Sequence, residues 1–545
     1  MVSGMSRRLT LLVLAAACGL ESSDLKVPKN EAGFQTSDRC IACHNGLVTA
    51  SGRDVSIGFA WRSSIMANSS RDPYWQASLR RETIDHPSAS LDIQDECSAC
   101  HMPITRYEAK IRGQLGEVFL HLPFNPKKES GQEAADGVTC SVCHQITTEK
   151  FGTKAGMSGN FVINAPRTGN IHPEYGPFNI VPGNQEIMYS STGGLQPNEG
   201  QHIRDAELCA ECHQLYTTAR DRAGKAIGQL PEQMPYLEWL NSDYYRNHRS
   251  CQDCHMTLVD EPAPIARVLG IERTGVREHV FVGDNFFMQD MLNRYRDELQ
   301  VAALSNELTV AAQGTRQFLQ TRSARVAIQT LTAAGDRLQA NVTVENLTGH
   351  KLPTAFPSRR AWLHFSVKDR NGQVVFESGA LNPNGSIAGN DNDADPLRYE
   401  PHYSEITSPD QVEIYEDILG DSAGHVTTGL IAGIRFLKDN RLLPDGFNKT
   451  DIPHDVAVIG RAYDDSNFVG GAHTVRYSVP TGNAAGPFTI AVELWYQPIG
   501  YRWANNLKPF DSAPEPDRFN RFYDSMEGSS AITLASAQVT TLGRR

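Results

Sequence analysis

Beyond about residue 325 the chain alternates apolar and polar side chains with a period of two. Segments 326–330, 338–344, 361–367, 373–377, 473–479, 488–494 and 531–537 each read as a half-buried strand. Asn371-Gly372 separates two of these runs and predicts a tight hairpin. Short strands punctuated by turn signals predict an all-β, sandwich-like domain over 323–545. Its long insertion, at about 381–457, is expected to carry helices near 410–420 and 427–438. The earlier part of the chain has a different texture. Helical periodicity marks 60–68, 72–83 (with Pro73 at its start) and 284–320, where Phe287, Met291, Leu292 and Tyr295 share a face.

Between Cys40 and His255 the chain is dense in Gly, Pro and Ser and carries few long periodic runs. A polypeptide this thin cannot build a large aliphatic core. A mainly irregular and α domain over 33–322 therefore has to pack around something other than its own side chains.

The cysteines say what that is. Ten of the eleven fall in five Cys-x-x-Cys-His motifs: Cys40, Cys43 and His44; Cys97, Cys100 and His101; Cys140, Cys143 and His144; Cys209, Cys212 and His213; Cys251, Cys254 and His255. Composition alone predicts roughly 0.007 such matches. The spacing lets two thiols form thioethers with one haem while the adjoining histidine becomes the proximal iron ligand. The expectation is five covalently bound haem c groups in a haem-packed, pentahaem cytochrome domain.

The eleventh cysteine lies at the start. Arg7 and Arg8 precede an apolar run over 9–17 that ends at Cys18. The run is too short to span a bilayer and reads as a cleavable export signal over 1–17. Cys18 resembles the acylated residue of a bacterial lipoprotein box, with 18–32 as a polar tether. Gly19 after it implies, by resemblance to the sorting rule, the outer membrane or cell surface; without the lipid the protein would be periplasmic. The formal charge of −12 across 545 residues, with no basic stripe, argues against nucleic acid as a partner. The expected partners are redox proteins, such as other cytochromes or membrane quinol-oxidising complexes, and a membrane reached through the lipid.

A sixth ligand on each iron separates a wire from an enzyme. His86, His121, His172, His202 and His279 lie in or just after the motif region, and His350 sits in a turn after the first predicted strand pair. Met66 could donate a thioether. Candidates exceed vacancies, which favours filled irons and electron relay; the alternative is a reductase or oxidase of a small nitrogen or sulfur compound at one five-coordinate haem. Asp391, Asp393 and Asp395 place oxygens at alternate positions after Gly389, as calcium loops do.

The motif array resembles bacterial multihaem c-type cytochromes of the hydroxylamine-oxidoreductase-like class, with closely stacked haems. In that class a Trp-x-x-Ser-x segment followed by His supplies a ligand. Here Trp61-Arg-Ser-Ser-Ile is followed by Met66, so the resemblance implies a His/Met haem. Gly349-His350-Lys-Leu-Pro-Thr also resembles an element at which such cytochromes join a C-terminal β domain.

Overall fold

A computed structural model describes residues 33–164, 171–283, 285–334 and 336–541. The export signal, Cys18 and the tether lie outside the described residues. The alternating runs form seven main strands: β1 (Ala324–Ala334), β2 (Arg337–Asn346), β3 (Arg360–Lys368), β4 (Val374–Ser378), β5 (Ala472–Pro480), β6 (Thr489–Gln497) and β7 (Ile532–Thr540). One sheet has the order β4-β3-β6-β7. The other runs β5-β2-β1, with Glu405–Ile406 added parallel to β5. Leu338, Ala340, Val342 and Val344 of β2, and Ile490, Val492 and Leu494 of β6, are buried at alternate positions. Phe365 of β3 stacks on Tyr477 of β5 with centroids 3.8 Å apart, joining the two sheets. Asn371-Gly372 makes the hairpin between β3 and β4, with Gly372 at φ +79°.

The insertion departs from the helical expectation. Over 410–420 the chain forms Ile414–Tyr415, which pairs with β3, and Asp417–Gly420. Over 427–438 it is irregular until Arg435–Asp439, which pairs with Asp417–Gly420. The reason is burial on both sides: Val412, Ile414, Tyr415, Ile418 and Leu419 are all buried, whereas a helix would bury only one stripe. The insertion in turn covers the outer face of β3, where Trp362 packs with Ile387, Val412 and Ile414. Helices are also present after β6, at Tyr501–Asn505 and Pro514–Asp524, so the second half is a sandwich with helices and not all-β.

The first half is short helices joined by turns, with three two-stranded sheets. The periodic segment 284–320 divides into Phe286–Arg294 and Ser305–Arg322. Gln300 takes φ +53° in the turn between them, and Glu307 caps the second helix by accepting the Leu304 N–H. The long helix ends at Arg322 and β1 begins at Ala324.

The halves share one apolar core, which runs from Tyr74, Met234 and Met291 into the sandwich. Tyr74 packs against Phe356 and Phe519, and Arg80 donates to both oxygens of Glu515 at 2.8 and 2.9 Å. Beside this lies a fully buried ionic joint. Arg441 meets Glu238 of the first half at 3.2 Å, Asp439 at 2.8 Å and Asp417 at 3.4 Å. Lys351 donates to Asp439 at 2.6 Å, and its backbone N–H reaches Glu238 at 3.1 Å. Three carboxylates are thus held by two cations away from water. Arg441→Met should strand those carboxylates and cost about 3–5 kcal/mol, read as a lowered denaturation midpoint. A midpoint unchanged from the parent would mean that the joint contributes little.

Candidate cofactor-binding site

Four of the five motifs lie within helices, at Ser90–His101, Cys140–Gln145, Ala206–His213 and Cys251–His255; the first straddles the end of Ser37–Ile41. On a helix, positions i, i+3 and i+4 share one face, so both thiols and the imidazole of a motif point the same way. Ser250 and Asp253 form a capping box that holds the last motif's helix in place. All ten cysteines are partly buried and unpaired. Together with the five motif histidines they line one cavity of about 1390 Å³.

Four of the five motif imidazoles are oriented by backbone. Nδ1 of His44 lies 2.6 Å from the Ile265 carbonyl, His101 2.9 Å from Ser69, His144 2.6 Å from Tyr175 and His255 2.6 Å from Val282. A carbonyl only accepts, so each Nδ1 carries the proton and Nε2 keeps its lone pair for a metal. Burial lowers the pKa of all five, with His101 and His213 at about 4, which keeps them neutral.

Two further histidines face motif histidines across the cavity. The rings of His144 and His279 are 6.3 Å apart at 21°, and those of His255 and His350 are 6.3 Å apart at 15°. Two imidazoles on one metal at about 2.0–2.1 Å each, with ring centres roughly 1.1 Å beyond the ligating nitrogens, have centres about 6.3 Å apart. Direct ring stacking would bring them much closer. Both partner rings also turn Nδ1 to a carbonyl, Arg277 at 3.2 Å and Lys351 at 2.8 Å. His350 comes from the loop after β2, so the sandwich completes the cavity wall.

The other candidate ligands sit differently. Met66 lines the cavity; His86, His121, His172 and His202 are not among its lining residues. His86 is buried with Nδ1 3.3 Å from the Glu82 carbonyl. His121 ends a single turn over Phe119–His121. His202 places Nε2 3.0 Å from the Ile146 carbonyl and packs on Tyr175. His172 is buried at 1% exposure with neither ring nitrogen partnered, pressed against Gly33. Asp391 pairs with Arg398, Asp393 is bound by both arms of Arg360 at 2.8 and 3.0 Å, and Asp395 accepts the Leu397 N–H. Guanidinium groups and a backbone donor thus occupy the oxygens that the calcium reading assigns to an ion.

Neighbouring motifs touch, and not in chain order. The thiols of Cys40 and Cys140, of Cys100 and Cys212, and of Cys209 and Cys251 are neighbours that perturb each other's ionisation. The fourth motif therefore abuts both the second and the fifth, while the first abuts the third.

Several lining residues had no signal in the sequence. Trp75 lies flat on His101, with centroids 4.2 Å apart and planes parallel. Glu82, Glu96 and Glu232 gather near Cys97 of the second motif, and Asp72 caps the helix that carries Trp75; burial pushes Asp72 up to about 6 and Glu232 up to about 7. Arg359 lies close enough to His213, His255 and His350 to depress their protonation. Isolated charges amid turn-rich sequence look like surface residues until the fold encloses them.

No family model matches the chain, and no curated protein matches it. Among solved structures, the chain is similar to a penta-heme cytochrome c552 from Thermochromatium tepidum, with a TM-score of 0.49 and 14% identity over 94% of this chain and 100% of that one.

The thiol pairs, neutral imidazoles and apolar cavity fit covalently attached haem. His279→Ala should then open the iron of His144, giving a high-spin ferric electron paramagnetic resonance signal that integrates to about one iron per chain. An unchanged low-spin spectrum would show that the two rings share no metal.

Proposed function

We propose that this protein is an exported pentahaem c-type cytochrome that relays electrons. One observation carries the reading: all five motifs open onto one cavity, and two of their histidines face a second imidazole at the span of a shared metal. Cys40, Cys43, Cys97, Cys100, Cys140, Cys143, Cys209, Cys212, Cys251 and Cys254 would hold the haems, and His44, His101, His144, His213 and His255 would ligate them. When bound, the haems supply one-electron transfer between irons. The chain's part is to fix spacing, since motif helices whose thiols touch keep their cofactors adjacent. It also excludes water and keeps each ligating nitrogen unprotonated. Because the fourth motif touches two others, the proposed route branches there.

We further propose lipid anchoring at Cys18 in the outer membrane, with other redox proteins as partners. No helix among the described residues is long and apolar enough to cross a membrane. A second reading, reduction or oxidation of a small nitrogen or sulfur compound, is favoured by the carboxyls near the second motif. Buried acids with raised pKa can hold protons that such chemistry consumes.

The relay predicts five haems per chain by mass spectrometry and a low-spin ferric spectrum unaffected by nitrite or hydroxylamine. A large high-spin signal that shifts with either ligand would replace the relay with the enzymatic reading. Cys18→Ala should move the protein from the membrane fraction to the soluble periplasmic fraction and abolish palmitate labelling; unchanged partitioning would remove the anchor.

A further inference from the structure

The insertion of the β domain meets β5 at a buried group unrelated to the cavity. His402 lies just before Glu405–Ile406, Glu413 just before Ile414–Tyr415, and His473 within β5. All three are buried, at 5%, 0% and 0% exposure, and none lines the large cavity. One ligand atom from each can be chosen so that all lie within 4.8 Å of one another. The imidazoles lie 4.6 Å apart at 29°, with Phe468 edge-on to both.

Proton positions follow from the partners. Asp465 Oδ2 lies 3.1 Å from His402 Nε2 and 3.3 Å from His473 Nε2. A carboxylate only accepts, so both Nε2 atoms carry hydrogens, and a neutral ring then shows its lone pair at Nδ1. His402 Nδ1 lies 2.8 Å from Glu413 Oε1, two acceptors in contact away from water. Such a contact is repulsive unless a proton or a metal cation is shared between them. His473 Nδ1 is 3.9 Å from the same oxygen, too long for a hydrogen bond but within the span of two ligands on one ion. Tyr415 Oη lies 3.0 Å from His473 Nδ1, and Asn440 Nδ2 lies 2.9 Å from Glu413 Oε1 and 3.2 Å from His402 Nδ1. Tyr403 N–H donates to Glu413 Oε2 at 2.6 Å and fixes the carboxylate. Two cations lie nearby. Lys449 donates to the Asp465 carbonyl at 2.5 Å, and Lys438 is held by Glu416 at 3.0 Å.

We propose that His402, His473 and Glu413 form a binding site for one divalent ion of the zinc class, with Asp465 positioning both imidazoles. Two imidazoles and a carboxylate are a zinc-type donor set, and a second carboxylate on the far ring nitrogens is the usual outer support for such histidines. The role is structural, tying the insertion to β5. It does not depend on the relay reading.

The test loads the full-length holoprotein with zinc, dialyses it against metal-free buffer and counts zinc and iron together. About one zinc per chain is expected, with an anomalous scattering peak at the zinc edge between the two histidines. His473→Ala should lower bound zinc about tenfold or more while iron stays at the parent value. If that variant does not fold, the edge experiment on the parent decides. Zinc below about a tenth of an ion per chain, with normal iron, would overturn the site.

Discussion

The chain encloses a volume it does not fill. Ten thiols, five imidazoles and a wall of apolar side chains bound one cavity. Everything else in that half follows from the constraint. Its helices are short because each presents one motif face; its loops are many because the helices must ring a space instead of packing on each other. A separate small cluster around Phe34, Ile104 and Val142 backs the ring, with Val142 and Ile146 reaching the cavity. The stability missing from a conventional core has to come from whatever occupies the centre.

The sandwich acts as the other wall. It contributes His350 from a loop and Phe356 and Arg359 from the approach to β3, and it is held to the first half by both apolar and ionic contacts. The ionic joint is adjacent to His350 in sequence through Lys351, whose ammonium is fully buried against Asp439. Charge pairing at that depth tolerates little displacement, because separating either partner exposes an uncompensated charge to a dry interior. The imidazole one residue away is therefore held as firmly as the joint itself.

Much of this was readable along the chain, for definite reasons. Most strands of the sandwich announced themselves because one face is wet, so apolar and polar residues alternate; β3, covered on both faces, is the exception. The strands of the insertion carry no such signal because both faces are covered, which erases that alternation. The motif residues were legible because thioether chemistry demands one fixed spacing. The second imidazoles were only half legible: His279 and His350 were among the candidates, yet no local spacing separates them from His86 or His202, since the pairing is made across the fold. Trp75, Arg359 and the carboxyls around the second motif gave no sign at all. Their roles depend on neighbours far away in sequence.

The touching thiols carry a consequence for the order of events during maturation. Cys40 with Cys140, Cys100 with Cys212, and Cys209 with Cys251 are pairs from different motifs brought side by side. In an oxidising compartment, bare thiols at that range cross-link into disulfides. Such a bridge would tie two motifs together and take one sulfur from each. On the export proposed above, the chain would need its cysteines chemically spent before it closes, while the motifs are still strung out and strangers to one another. On that reading folding is the last step of assembly, and the native arrangement is one the unmodified polypeptide should not be allowed to reach.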